Sequence, residues 1–354
     1  MTPELGIIEG FFGRPYSWSE RAEMVTALKP HGYGFYLYAP KADGYLRRQW
    51  REPYLDAELV ALAGFADHCR GAGVRFGVGL SPYELFLGFD GPAKDALGAK
   101  LAQLDSLGLA DLGVFFDDMK GDLPELAARQ IEIVDWIASR TRASRLIVCP
   151  SYYTDDPVLD RVFGQRPANY LEDLGRGLDA RIELMWTGEE VCAREFSPGH
   201  VARVAEQIRR KPFLWDNYPV NDGPRMSPHL HLRAFTGRPA AIGPHIAGHA
   251  INTASQAVLS QIPALTLAES YARGEAYEYL GAFRRAARAV LGDGLADAVE
   301  RNLLLLEDTG LKGLDDERKE KLRGRFAAFD HPGAREIVAW LDGAWDSASE
   351  LQTQ

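Results

Sequence analysis

The feature that most narrows the fold is a regular alternation along the chain. Short apolar runs rich in β-branched and aromatic residues occur at 6–12, 34–38, 75–80, 112–117, 145–149, 182–186, 212–215 and 247–252. Between them lie amphipathic stretches of helical period at 19–29, 56–71, 94–107, 123–139, 168–178 and 200–210, and a further helix is expected after Asn252. A strand, a helix and a second strand in succession make a parallel pair, because the helix carries the chain back to the starting edge of the sheet. Eight such units within about 250 residues predict a (β/α)8 barrel, an α/β fold.

From about Gly274 the strand signal stops, and leucine- and alanine-rich helical periods follow at 282–291, 295–306, 315–329 and 334–341. The expected organisation is therefore a catalytic barrel over 1–273 and a small helical appendage over 274–354. The connection at 223–244, rich in Pro, Gly and His, is long enough to form either a structured loop at the barrel mouth or a partly mobile one.

With 40 basic against 50 acidic residues, the formal charge of -10 gives no electrostatic reason to expect nucleic acid or an anionic membrane as the partner. No apolar run approaches the ~20 residues of a membrane span. The three cysteines show no CxxC spacing, so neither a disulfide framework nor a structural zinc site is expected. Lacking a basic segment followed by a long apolar one near Met1, the chain reads as cytoplasmic.

In a parallel barrel, groups that do chemistry sit at the C-terminal ends of the strands. Here those ends carry Glu9-Gly10-Phe11-Phe12, Tyr38-Ala39-Pro40-Lys41, Phe116-Asp117-Asp118, Tyr152-Tyr153, Trp186-Thr187-Gly188, Trp215-Asp216-Asn217 with Asn221-Asp222, and Asn252. Carboxylates, amides, a lysine and aromatics together suit a sugar, whose hydroxyls need hydrogen-bond partners and whose ring faces need aromatic walls. Asp117 and Asp118 stand out. Adjacent carboxylates oppose each other's ionisation, so one can stay protonated and act as a general acid. Regular strand geometry points them to opposite faces, and both reach one ligand only if the strand bends there.

The ordered set of these motifs resembles glycoside hydrolase family 84. The segments are Gly6-Ile-Ile-Glu-Gly-Phe-Phe-Gly-Arg-Pro15, Tyr38-Ala-Pro-Lys41 with Trp50-Arg-Glu-Pro-Tyr54, Phe116-Asp-Asp118, Trp186-Thr-Gly188, Trp215-Asp-Asn217 with Asn221-Asp222, and Asn252. This family comprises O-GlcNAcases and bacterial β-N-acetylglucosaminidases. The resemblance implies a retaining exo-enzyme without cofactor or metal, acting on glycans or glycoproteins that contain N-acetylglucosamine. The substrate's 2-acetamido oxygen would attack the anomeric carbon and form an oxazoline, an exception to the two-carboxylate scheme.

By the same resemblance Asp117 would orient the acetamide and Asp118 would be the general acid and base. Gly10 would offer backbone to a hydroxyl, and Lys41 would reach a hydroxyl or ring-adjacent oxygen. Asn217 would hold the acetamide, while Asp222 and Asn252 would grip hydroxyls. Tyr153 and Trp215 would wall the N-acetyl group. The chain departs from the family pattern at Ala42, Tyr152, Thr253 and the pair Glu189-Glu190.

Taken singly, these residues have plainer explanations: turn glycines, a surface lysine, packing aromatics and loop-capping amides. Arg14, Arg51 and Glu52 are expected as internal ion pairs bracing the loops. Two further readings compete with the glycosidase. A catalytically silent sugar-binding barrel would explain the departures, and a metal-dependent barrel hydrolase would use His229, His231, His245 and His249.

Overall fold

The computed structural model describes residues 2–345. Eight parallel strands close into a barrel in chain order: β1 (Leu5–Glu9), β2 (Tyr33–Tyr38), β3 (Arg75–Leu80), β4 (Asp111–Phe115), β5 (Arg145–Cys149), β6 (Glu183–Trp186), β7 (Phe213–Asp216) and β8 (Gly248–Asn252). Each strand coincides with a run expected from the sequence to within a few residues. The fold is the (β/α)8 barrel the alternation implied. The helices Trp18–Leu28, Asp56–Gly71, Gly91–Ser106, Leu126–Ala138, Tyr170–Gly177, Pro198–Ile208 and Gln261–Arg273 surround it. The short helix Val158–Phe163 carries too few residues for a periodic signal and was not foreseen.

The barrel interior is packed by large aromatics seated against glycines. Phe35 and Phe213 lie 5.6 Å apart, and Phe115 meets Trp215 at 5.3 Å. A Cβ on Gly79 would fall 2.3 Å from the Phe115 ring, so only glycine lets the ring lie flat on that strand. At the N-terminal end of the barrel Arg75 donates to Glu4 at 2.9 Å and to Asp111 at 3.2 Å, and Arg145 donates to Glu4 at 3.0 Å and to Glu183 at 2.9 Å. Two arginines and three carboxylates are thus tied into one network at this end.

After Arg273 the chain is helical: Tyr279–Leu303, broken at Gly292 (φ 72°), then a π-helical turn Leu304–Thr309, Asp316–Ala327 and Pro332–Leu341. The break at Gly292 separates the two periods expected at 282–291 and 295–306. Residues 346–354 of the expected appendage lie outside the described residues. This region has its own apolar core around Phe283, Leu295, Phe326 and Trp340, which also takes in Leu230, Leu232 and Ile262 from the barrel side. Buried glutamates fasten it. Glu336 accepts from the backbone N–H groups of Val258 and Leu259 at 2.9 Å each, and Glu307 from those of Leu232 and Arg233 at 3.1 Å each. Glu336 thus holds the turn after β8 and Glu307 the long connection before it, which is structured: it contains a short helix, Gly223–Met226, and buries Leu230, Leu232 and Phe235. Among the described residues no helix is long and apolar enough to cross a membrane.

Candidate active site

A single pocket at the C-terminal mouth gathers the nine residues expected to act on or bind the sugar: Gly10, Lys41, Asp117, Asp118, Tyr153, Trp215, Asn217, Asp222 and Asn252. About 480 Å³ of space lies within it, inside the range of small-molecule sites.

β4 ends at Phe115, and the next residues decide the site. Phe116 still donates its N–H to the Cys149 carbonyl at 2.9 Å, so the chain runs straight as far as Asp117, whose side chain follows Phe115 inward. Asp118 then turns into the left-handed region at φ 58°. That conformation is uncommon outside glycine but is tolerated by aspartate. It swings the second carboxylate from the outer face to the pocket. The required bend is real: Asp117 and Asp118 form a turn just after the strand.

The Lys41 ammonium contacts Asp117 Oδ2 and lies 3.7 Å from Asp118 Oδ2; all three side chains are nearly or wholly buried. Tyr153 donates its hydroxyl to Asp118 Oδ1 at 3.1 Å. Loss of solvent pushes the Asp118 carboxyl above its ordinary range, and the Asp117 charge adds to this, while Lys41, Arg47 and the Tyr153 hydroxyl pull the other way. Asp117 Oδ1 is different. It is buried and has no hydrogen-bond partner, an arrangement that costs about 1–3 kcal/mol unless a ligand supplies a donor.

The opposite wall comes from β7, β8 and β1. Trp215 donates its indole N–H to Asn217 Oδ1 at 2.9 Å, and Asn252 Nδ2 donates to the same oxygen at 3.0 Å. Asn217 Nδ2 donates to the Val191 carbonyl at 2.8 Å. The Gly10 N–H donates to Asn252 Oδ1 at 3.1 Å, and Gly10 must be glycine because a Cβ would lie 2.5 Å from the Trp215 ring. Asp222 accepts from the Phe12 N–H at 2.7 Å, and burial pushes its carboxyl up to about 6. Asn221 turns away: its amide donates to the carbonyls of His229 and Gln256 at 2.9 Å and fixes the loop that presents Asp222.

Thr187, Val191, Cys192, Cys149 and Phe12 also line the pocket. None of them was given a catalytic or sugar-binding role from the sequence: Phe12 and Thr187 appeared only within strand-end motifs, and single cysteines and a valine carry no spacing signal. Burial pushes the Cys192 thiol up to about 12 and that of Cys149 well above its ordinary value, so neither offers a thiolate. Tyr152, a departure from the family pattern, points away, donating its hydroxyl to the Gly164 carbonyl at 2.6 Å. The expected bracing ion pairs are corrected: Arg14, Arg51 and Glu52 are all exposed, and Arg51 stacks on Trp50 at 4.2 Å.

The four histidines do not converge. His229 Nδ1 meets the Glu307 carbonyl at 2.7 Å, and His231 Nδ1 meets the Val220 carbonyl at 2.9 Å. His245 is exposed, and His249 is buried against Asp216 and Tyr271. Among the described residues no cluster of three or more His, Cys, Asp or Glu could hold a metal ion.

Residues 5–304 match the family model described as beta-N-acetylglucosaminidase (NAGidase). Protein O-GlcNAcase from Mus musculus is 29% identical over 276 residues, which is 75% of this chain and 30% of that protein. The Rattus norvegicus Protein O-GlcNAcase matches with the same identity and coverage. The chain thus spans less than a third of the length of these curated relatives. Among solved structures, a mutant of the Thermobaculum terrenum O-GlcNAc hydrolase superposes with a TM-score of 0.79 at 26% identity, over 96% of this chain and 80% of that one. CpGH84B superposes with a TM-score of 0.76 at 22% identity over 96% of this chain and 67% of that one, a likeness of fold.

Proposed function

The chain belongs to the β-N-acetylglucosaminidase (NAGidase) family, and from that premise we propose that it is a retaining exo-β-N-acetylglucosaminidase. It releases terminal β-linked N-acetylglucosamine from glycoprotein or glycan fragments with the help of the substrate's own acetamido group. The observation that carries this reading is the partnerless, buried Asp117 Oδ1 beside a carboxyl that burial pushes above its ordinary range.

An acetamide N–H supplies the donor that Asp117 Oδ1 lacks, while Lys41 balances the Asp117 charge through Oδ2. Held so, the acetamide is polarised and its carbonyl oxygen faces the anomeric carbon, so the ring closes without a protein nucleophile. Asp118 gives its proton to the departing glycosidic oxygen. The Tyr153 hydroxyl, already in contact with Asp118, is placed to stabilise the cyclic intermediate. Asp118, now a carboxylate, takes a proton from water as that water attacks the anomeric carbon; the bond from that carbon to the acetamido oxygen breaks and the acetamide is restored. Two inversions at one carbon leave the configuration retained.

Trp215 with Val191 and Cys192 makes an apolar bed for the acetyl methyl group. Asp222, Asn252 and the Gly10 backbone suit the ring hydroxyls. Three free cysteines fit a reducing, cytoplasmic setting for this activity.

The test is hydrolysis of 4-nitrophenyl N-acetyl-β-glucosaminide beside the plain β-glucoside, followed by analogues with one to three fluorines on the acetyl group. Cleavage confined to the N-acetyl compound, slowing as fluorine withdraws electrons from the acetamide oxygen, is expected. A rate indifferent to fluorine would remove the acetamido mechanism.

A further inference from the structure

Beyond Asp118, on the side where a departing group must lie, a second pocket of about 710 Å³ opens. It shares Phe12 and Asp118 with the sugar site and is otherwise unlike it, for its polar walls are cationic: Arg47, Arg48 and Lys120 against Glu84. The chain as a whole carries a formal charge of -10, so this patch runs against the global balance.

Arg47 is the most telling of the three. It is only 6% exposed, its Nε has no hydrogen-bond partner, and its Nη2 reaches the Asp118 carbonyl at a long 3.4 Å. Among the described residues none of Arg47, Arg48 and Lys120 has a carboxylate oxygen within 4.0 Å in an ion pair, whereas the buried Arg21 and Arg238 each do. The Asp118 carboxylate acts on Arg47, but it does so from beyond ion-pair distance, and a buried guanidinium with no carboxylate in contact is costly. Both arginines are held in place by Tyr83: the guanidinium carbons of Arg47 and Arg48 lie 5.5 Å and 4.6 Å from its ring centroid. The pocket thus sets two guanidinium groups against one aromatic ring, the buried Arg47 and the exposed Arg48.

We propose that this pocket selects an aglycone bearing a carboxylate next to the scissile bond, held by Arg47, Arg48 and Lys120 while Asp118 protonates the leaving oxygen. The inference rests on the function proposed above and names its leaving side. In the step itself the glycosidic C–O bond breaks, the proton of Asp118 goes to the aglycone oxygen, and the aglycone leaves with its carboxylate still ionised. The cations attract that charge; Glu84 opposes it, and Asp118 joins Glu84 once its proton has been given up.

The experiment compares 3-carboxyphenyl and 3-carbamoylphenyl N-acetyl-β-glucosaminides, leaving groups alike in size and differing in charge. The carboxylate should be favoured in kcat/KM by about tenfold, one charge-assisted contact's worth, and the ratio should shrink in about 0.5 M salt. Arg47→Gln, and separately the exposed Arg48→Gln and Lys120→Gln, should each move the ratio towards one. Equal turnover of the two glycosides by the unaltered enzyme would overturn the charge selection alone. Turnover of neither would overturn the glycosidase reading as well.

The source of the carboxylate is separated by a second pair of substrates. One is an N-acetylglucosaminyl-serine peptide with acidic neighbours against its amide counterpart; the other is N-acetylglucosamine linked to a sugar acid against the carboxyl-reduced sugar. Preference for the acid in either arm supports the proposal and names the source, and preference in neither overturns it.

Discussion

Two strand ends face each other across the mouth, and they handle the same problem in opposite ways. β7 closes with Trp215-Asp216-Asn217 and β4 runs into Phe116-Asp117-Asp118. On β7 the two-residue alternation holds: Trp215 and Asn217 enter the pocket, while Asp216 points outward and is wholly buried. There Arg238 Nε donates to Asp216 Oδ2 at 2.8 Å, Nη2 to Oδ1 at 2.7 Å, and His249 Nε2 to Oδ2 at 3.0 Å. Burial alone would push the Asp216 carboxyl up, but Arg238 and His249 hold it below its ordinary value. On β4 the alternation is broken at Asp118, and both carboxylates enter the pocket to share one lysine. A fully paired aspartate serves stability. One left with an unmet acceptor, or pushed toward its protonated form, is available for chemistry.

The largest effect expected from this contrast is at Asp118. Asp118→Asn removes the proton donor and should lower kcat/KM by about 10²–10⁴ with poor leaving groups and much less with activated aryl groups. The wild-type carboxyl is raised, so the acid is present at low pH and lost as pH rises through its folded value. The alkaline limb of kcat/KM should therefore disappear in the variant with activated substrates. An alkaline limb that survives, or equal losses with all leaving groups, would take Asp118 out of the acid role.

Asp117→Asn comes next, at about 10²–10³ in kcat whatever the leaving group, because the acetamide must be polarised in every case. Its folding stability should fall, because the buried Lys41 loses its contacting carboxylate, though relief of the carboxylate pair and the nearby Asp118 offset part of the loss. Leaving-group dependence in a Brønsted plot would contradict the assignment.

Across the mouth the outcome should invert. Arg238→Met strands the Asp216 charge and should cost about 3 kcal/mol of stability in urea denaturation. Residual activity below the unfolding range should fall only several-fold, through displacement of Trp215 and Asn217. A catalytic loss as large as that of Asp118→Asn, with stability intact, would erase the distinction between the two strand ends.

The same contrast explains what could be read without the structure. All eight strands were legible because buried parallel strands leave continuous apolar runs, and the barrel followed from their number. The pocket residues on β7, β8 and β1 were legible because alternation and strand-end position place them. What was not legible depends on a single backbone torsion or on distant parts of the chain. Whether Asp118 joins Asp117 is decided at φ 58°, which no pattern of residue types announces. The fate of Arg47 is set by Tyr83 and by the Asp118 carbonyl, both far away in sequence. The role of the 274–345 helices in holding the segments on either side of β8 depends on Glu307, which bonds the β7–β8 connection, and Glu336, which bonds the turn after β8; both read in sequence as ordinary surface glutamates.

The smallest prediction sharpens the comparison most, since it turns on a sign. At Asp118 the left-handed backbone favours glycine, and a Cβ there costs about 1 kcal/mol. Asp118→Gly should accordingly be more stable than Asp118→Ala by about that amount. Position 216 lies within a regular strand, where glycine loses more conformational freedom on folding than alanine does. Asp216→Ala should therefore be the more stable of its pair, by about 0.5–1 kcal/mol. Both members of each pair lose the same carboxylate, so its contacts cancel and only the backbone term remains. Urea midpoints for the four variants measure the two differences. If glycine is favoured over alanine at 118 and disfavoured at 216, the β4 end is held in a conformation that the β7 end does not share. If the two orders agree, the convergence of Asp117 and Asp118 must come from side-chain rotation and not from the turn of the chain.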